Sequence, residues 1–304
     1  MNYYYFNPFN KQYLFPQGFK KIGLFQTFYQ PYTLKGKCLW KLWYHLAFIR
    51  YWSKVPNPSA IVPLLQLKPY ISSSSVLAFN RGSNGVEQKI SILGVDKANN
   101  SEFFIKYADS EVARINVNNE GAILQQIEQL DFVPKLKQHV NEAHFTFIAT
   151  TVLKGVRVAQ QNINEQVLDV LKTLSELNIT TTKKTSSELK TCFAHGDFCP
   201  WNMMLHHQKL QLFDWEMAGT YPLGYDLFTF IFQTSFLLTS QKKIAETRTT
   251  ATPLIVRYFK TQGIDNWLPY LQAFANIKLE LETAKNNHYL INYYQQLKTH
   301  AEKA

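Results

Sequence analysis

Apolar positions change their spacing twice along this chain. Over residues 1–70 aromatic side chains are frequent, but Pro8, Pro16, Pro31, Pro56, Pro58, Pro63 and Pro69 cut them into short pieces. Only 37–54 keeps a helical rhythm there, with Leu39, Leu42, Trp43, Leu46 and Ile49 on the repeat. A serine-rich joint follows at 71–75. The pattern then predicts strands at 76–79 and 86–95 around a turn at 81–85, and a third strand at 101–107. A helix is expected from about Asn118, a candidate N-cap, with Ile123, Ile127 and Leu130 on one face, and a further strand at 145–153. Beyond that, Val167, Leu171, Leu174 and Leu177 mark a helix at 164–177, and helices prevail from Tyr225 to the end. Residues 191–215 interrupt them as a strand, a loop and a hairpin. Strands thus come early and helices late, in a chain long enough for one large domain or two lobes.

Charge changes this picture at one place. The 304 residues carry a formal net charge of +10, yet residues 1–86 hold ten Lys/Arg and no acid, Glu87 being the first. The basicity therefore belongs to an N-terminal segment, and the remainder is formally neutral. Trp40, Trp43 and Trp52 beside Lys37, Lys41, Arg50 and Lys54 fit either an accessory helix packed on the body or a helix at 37–54 making peripheral contact with an anionic membrane. No recognisable nucleic-acid motif accompanies the charge, so no nucleic acid partner is expected. Cys38, Cys192 and Cys199 are too few and too irregular for a disulfide framework or a cysteine zinc site, and no signal-peptide pattern or bilayer-spanning run is evident. A cytoplasmic protein is expected, peripheral at the inner membrane surface if 37–54 makes that contact.

Candidate chemistry is densest at 193–216, which reads Phe-Ala-His195-Gly-Asp197-Phe-Cys199-Pro-Trp201-Asn202, then a short hairpin, then Phe213-Asp214-Trp215-Glu216. An Asp and an Asn five residues apart on a loop leaving a strand, followed by an Asp ending the next hairpin, is how kinases arrange their chemistry. Phosphoryl transfer needs one carboxylate facing the acceptor hydroxyl and hard oxygen ligands facing Mg²⁺. A metal-dependent hydrolase using His195, Asp197, His206 or His207, and Asp214 is the rival for the same residues.

These residues resemble the aminoglycoside phosphotransferase and choline kinase family, whose signature is HGD, four residues, N, and then a hydrophobic strand ending in DWE. Residues 195–202 and 213–216 match it at each defining position, and the resemblance extends over about 76–300. It implies a two-lobed α+β protein-kinase-like fold: an antiparallel five-stranded N-lobe sheet with one helix, and a mainly helical C-lobe. The corresponding divisions are a basic aromatic extension at 1–70, a nucleotide-binding N-lobe at 71–153 and a C-lobe at 154–304. It implies Asp197 as catalytic base, Asn202 and Asp214 as Mg²⁺ ligands, and a structural His195. It also implies a loop-bracing Asp226, and Lys106 paired with Glu120 on the nucleotide phosphates. Gly82, Ser83 and Gly85 would form the nucleotide loop, a role for which an ordinary hairpin turn is an equal alternative.

The implied activity is transfer of the γ-phosphoryl group of ATP or GTP to a small hydroxylated substrate: a sugar, an amino alcohol or a glycan precursor. An aminoglycoside acceptor is not favoured, because residues 227–304 offer only Glu246, Asp265, Glu280, Glu282 and Glu302 against more numerous basic residues. The competing class is a non-catalytic kinase-like protein that docks through residues 1–70.

Overall fold

The computed structural model describes residues 2–6, 11–29, 33–56, 61–82, 85–158, 163–185, 187–238 and 243–302. The chain divides into two compact units, one comprising residues 1–121 and 134–152, the other 122–133 and 153–304.

The first unit is built on an antiparallel sheet of strands β1 (Tyr3–Tyr5), β2 (Tyr13–Pro16), β3 (Ser75–Asn80), β4 (Ile90–Asp96), β5 (Ser101–Ala108), β6 (Leu136–Asn141) and β7 (Thr146–Thr150). Their order is β1-β2-β3-β4-β5-β7-β6, so the sheet has seven strands rather than the expected five. The two additional strands come from the first 16 residues, which accordingly belong to this unit. Alternation explains why they fit. Tyr3 and Leu14 join Leu77, Phe79, Ile92, Ile105 and Phe147 in one core, while Phe6 and Phe15 join Val76, Ala78, Leu93 and Val95 in a second. Both faces of the sheet are thus covered.

The N-terminal segment packs on both faces, with Phe19, Phe25 and Trp43 in the second core and Val55 and Leu67 in the first. It contributes α1 (Gly23–Gln26), α2 (Leu34–His45), α3 (Ala47–Trp52) and α4 (Val62–Leu67). Where the sequence predicts one helix at 37–54, the chain breaks at Leu46, whose ψ of 106° is extended. Arg50 makes the break tolerable, because its guanidinium donates to the carbonyls of Trp43 and Tyr44 at 2.9 and 2.6 Å. Trp43 is buried and Trp40 stacks on it at 5.5 Å, both against Phe6 and Phe15. The alternative of aromatics packed onto the body holds for these two tryptophans and not for Trp52, which is 84% exposed.

Helix α5 (Glu111–Gln126) starts seven residues before the expected Asn118. The carbonyl of Ser110 accepts the amide of Arg114, which fixes the first turn, and Asn118 instead bonds the ring of His139 at 3.0 Å.

In the second unit, α6 (Glu165–Glu176) is capped by Asn164, whose side chain accepts from the Val167 amide at 3.0 Å. Strand β8 (Val156–Arg157) pairs with β10 (Met203–His206), which pairs with β11 (Lys209–Leu212); β9 (Thr191–Ala194) pairs with β12 (Gly219–Pro222). The strand, loop and hairpin predicted at 191–215 are these elements. Helices α7 (Tyr225–Phe228), α8 (Thr234–Leu238), α9 (Ile244–Thr261), α10 (Leu268–Ala284) and α11 (His288–Glu302) complete the unit, with a π-helical turn at Thr229–Gln233 between α7 and α8.

Candidate active site

In the second unit the loop after β9 is held from three sides. Asp226, at the start of α7, accepts the amides of His195 at 2.6 Å and Gly196 at 3.0 Å. Burial pushes the Asp226 carboxyl above its ordinary value, while the neighbouring His195 and these two amides work the other way. His195 is fully buried against Trp215 at 4.6 Å. Its Nδ1 accepts the Asp197 amide at 3.3 Å and its Nε2 lies 3.0 Å from the Phe213 carbonyl, so Nε2 carries the proton. Both ring nitrogens are therefore used within the fold, and neither is left to ligate the metal of a hydrolase. The rings of His206 and His207 lie 4.1 Å apart, tilted by 59°, at the β10–β11 turn, where His207 and Gln208 take positive φ values of 47° and 62°.

Gly196 is the position where only glycine fits, since φ is +84° and an added Cβ would lie 2.1 Å from the Met217 carbonyl oxygen. The next residue is Asp197. A 3₁₀ turn at Pro200–Asn202 returns the chain so that Asn202 Nδ2 donates both to Asp197 Oδ2 at 2.8 Å and to the Asp197 carbonyl at 2.9 Å. Asn202 thereby spends its nitrogen on the carboxylate, and among the described residues no donor occupies its Oδ1. Phe213 bonds the Asn202 carbonyl at 3.1 Å, which ties the end of β11 to the same loop. Asp214 follows with a left-handed backbone, φ 70° and ψ 56°, a costly conformation for a residue with a side chain.

The oxygen donors fit a hard divalent cation. Asn202 offers an amide oxygen and Asp214 a carboxylate, and a carboxylate oxygen of Glu216 lies within 4.8 Å of one from Asp214. Two carboxylates so close repel each other unless a cation offsets them. Glu216 belongs to the DWE motif, yet no spacing in the chain assigns it a role.

Two residues beyond the motif complete the surroundings of Asp197. Gln233, the last residue of the π-helical turn, donates from Nε2 to Asp197 Oδ1 at 3.0 Å. Its Oε1 accepts from Lys278 Nζ on α10 at 2.9 Å and from the Tyr294 hydroxyl on α11 at 3.1 Å. Lys278 is buried over the rings of Tyr225 and Phe274, at 5.1 and 5.9 Å. Burial opposes its charge, but Tyr294 and Asp197 outweigh that and hold its pKa above the ordinary value, so the lysine is charged. Because Lys278 can only donate, it fixes which end of the Gln233 amide meets Asp197. Sequence offers no signal for this relay, since Lys278 stands on a helix much like any solvated lysine.

In the first unit, Lys106 on β5 forms an ion pair with Glu120 on α5, and both are buried. Glu120 stands in the third turn of α5, so its pairing is not a helix-terminus effect. Gly82 donates its amide to Asn80 Oδ1 at 3.0 Å and takes a φ of 65°, whereas Gly85 is solvent-exposed. Ser83 lies outside the described residues. No described helix is long and apolar enough to cross a membrane.

Comparison with known proteins bears on the whole chain. Ethanolamine kinase from Plasmodium vivax matches 81% of this chain and 89% of its own at 14% identity, with a TM-score of 0.52. Amicoumacin kinase hAmiN, solved in complex with AMP-PNP, Ca²⁺ and Ami, matches 79% of this chain and 93% of its own at 11% identity, with a TM-score of 0.51. These likenesses show the kinase-like fold. No curated protein sequence matches the chain. The model of the phosphotransferase enzyme family matches residues 157–251, the span that holds Asp197, Asn202, Asp214, Asp226 and Gln233. Over that span the chain is similar to the phosphotransferase enzyme family, and its two units carry a kinase-like fold.

Proposed function

We propose that this enzyme transfers the γ-phosphoryl group of ATP to a hydroxyl of a small metabolite, with Asp197 facing the acceptor. The observation that carries this is the double hold on the Asp197 carboxylate, Asn202 on one oxygen and Gln233 on the other. A carboxylate oxygen accepts more than one hydrogen bond, so each retains capacity for the acceptor O–H. Held this way, Asp197 orients that hydroxyl and takes its proton as the bond to phosphorus forms.

Asn202 and Asp214 would hold Mg²⁺, joined by Glu216; the ion, when bound, neutralises charge on the phosphate oxygens. In the other unit, Lys106 positioned by Glu120 is assigned to the nucleotide phosphates, which makes that unit the nucleotide-binding lobe. Gly82, Ser83 and Gly85 keep only a secondary part in this reading, since the Gly82 amide is already engaged by Asn80.

The charged Lys278 behind Gln233 makes the surroundings of Asp197 a poor setting for a polycation. A neutral sugar or glycan precursor is therefore preferred over an aminoglycoside or an amino alcohol. The test is nucleotide consumption by the purified protein against a panel of sugars, amino alcohols and aminoglycosides. Asp197→Ala and Asp214→Ala should each lower turnover at least ~10²-fold while leaving the fold intact. Undiminished turnover in either variant overturns the assignment.

A further inference from the structure

In the first unit, α2 is apolar on two sides. Trp40, Trp43 and Tyr44 face the aromatic core. On the other side stand Leu34, Leu42 and Leu46, separated by multiples of four residues, with Leu39 beside them, and these four are 36–78% exposed. Helix α3 continues the surface with Phe48, Tyr51 and Trp52 at i, i+3 and i+4, which are 64%, 75% and 84% exposed. Seven large apolar side chains within 19 residues is more than an ordinary solvated surface presents, and it marks a contact surface. Lys35, Lys37, Lys41 and Lys54 are exposed among them, and no acid occurs in the first 86 residues to offset their charge.

We propose that the outer face of residues 34–54 docks on a lipid bilayer rich in anionic headgroups. The leucines and Phe48 would enter the acyl boundary. Tyr51 and Trp52 suit the interfacial layer, where an aromatic body meets a polar edge, and the lysines reach the headgroup phosphates on long apolar stems. Charge selects this occupant over the others. A second copy of the chain would set the same acid-free face against itself. A nucleic acid would satisfy the lysines but give the four leucines nothing apolar to cover them.

Co-sedimentation of the full chain with vesicles tests the inference. Deletion of the segment is unsuitable, because residues 3–16 supply two strands of the sheet. The wild type should sediment with phosphatidylcholine vesicles containing a quarter phosphatidylglycerol and not with pure phosphatidylcholine, and added salt should release it. Substituting Lys35→Glu, Lys37→Glu and Lys41→Glu together should lower partitioning by on the order of 100-fold, about fivefold for each lysine. Leu42→Ser with Phe48→Ser and Trp52→Ser should lower it at least ~10-fold while leaving lipid-free turnover unchanged. Should the serine variant fail to fold, the exposed lysine set decides alone. The inference is overturned if the wild type stays in the supernatant, if it binds neutral vesicles equally, or if the substituted forms bind as the parent does. It is equally overturned if the same substitutions dissolve a dimer in gel filtration or abolish tight binding of a labelled single-stranded RNA.

Discussion

Replacing Gln233 by leucine should separate stability from the proposed catalysis in this protein. The amide makes four hydrogen bonds, to Asp197 at 3.0 Å, to Cys199 Sγ at 3.7 Å, from Lys278 at 2.9 Å and from Tyr294 at 3.1 Å. Two involve a charged partner, and such bonds contribute about 1.5–3 kcal/mol each. Leucine keeps the volume but leaves the Lys278 ammonium buried without its acceptor, so Gln233→Leu should cost a net ~3 kcal/mol. For a protein of this size that is a fall in Tm of roughly 6–12 °C. Adding Lys278→Met removes the stranded charge and should restore at least half of the loss, as when a broken buried polar set is replaced by apolar groups. Catalysis should not follow. Asp197 has lost the amide donor on Oδ1 in both variants and keeps there only the long contact from the Cys199 thiol at 3.7 Å, so kcat should remain on the order of tenfold or more below the parent in the double variant as well. Thermal melts and steady-state kinetics on the two single variants and the double one complete the cycle. A double variant as unstable as Gln233→Leu would refute the stranded-charge account, and full kcat in Gln233→Leu would refute the positioning of Asp197.

Gly196→Ala should lower stability by about 2 kcal/mol or more and suppress turnover, because both its φ of +84° and the 2.1 Å approach of the Met217 carbonyl exclude a Cβ; an unchanged melt would count against the loop as described. Burial pushes Tyr3 up to about 12, and burial with the Asp226 carboxylate pushes the Cys192 thiol up to about 12. Both protons are held longer folded than unfolded, so this stability is complete below the ordinary values of 9.0 and 10.0 and lost as pH climbs towards 12. Urea midpoints should fall from pH 9 to 11, and a rising midpoint would contradict the assignment. In the folded protein at pH 8 only Cys38, which is exposed, should react promptly with a thiol reagent, since Cys192 and the buried Cys199 both have raised pKa values; two fast thiols would show the second unit to be open.

What could be read in advance was whatever depends on neighbours in sequence. The hairpin at 203–212, the Asp197–Asn202 spacing and the Asp226 brace follow from local motifs, and the structure brings all of them to one loop. The Lys106–Glu120 pair also formed, although α5 begins at Glu111, because a serine carbonyl rather than an asparagine side chain sets its first turn. Strands β1 and β2 were hidden by their brevity: three or four residues carry too few periods to distinguish a strand from a packed loop. The polar edge strand β6 shows little alternation for the same purpose. Gln233 and Lys278 meet through tertiary packing across 45 residues, a relation that no local pattern encodes.

The π-helical turn at Thr229–Gln233 makes the length of this segment matter as well as its composition. Asp226 and Gln233 reach the same loop from one continuous helical stretch, the first through α7 and the second through the wide turn. Removing one residue between them would let the backbone relax to the α-helical repeat and rotate everything downstream by about 100°. Asp226 would still grip the amides of His195 and Gly196, while Gln233 would turn away from Asp197. Related chains should therefore keep core-filling residues at 229, 230 and 232, which are buried here, and show neither insertions nor deletions at 229–232, so that the segment serves as a ruler measuring the distance from loop brace to base.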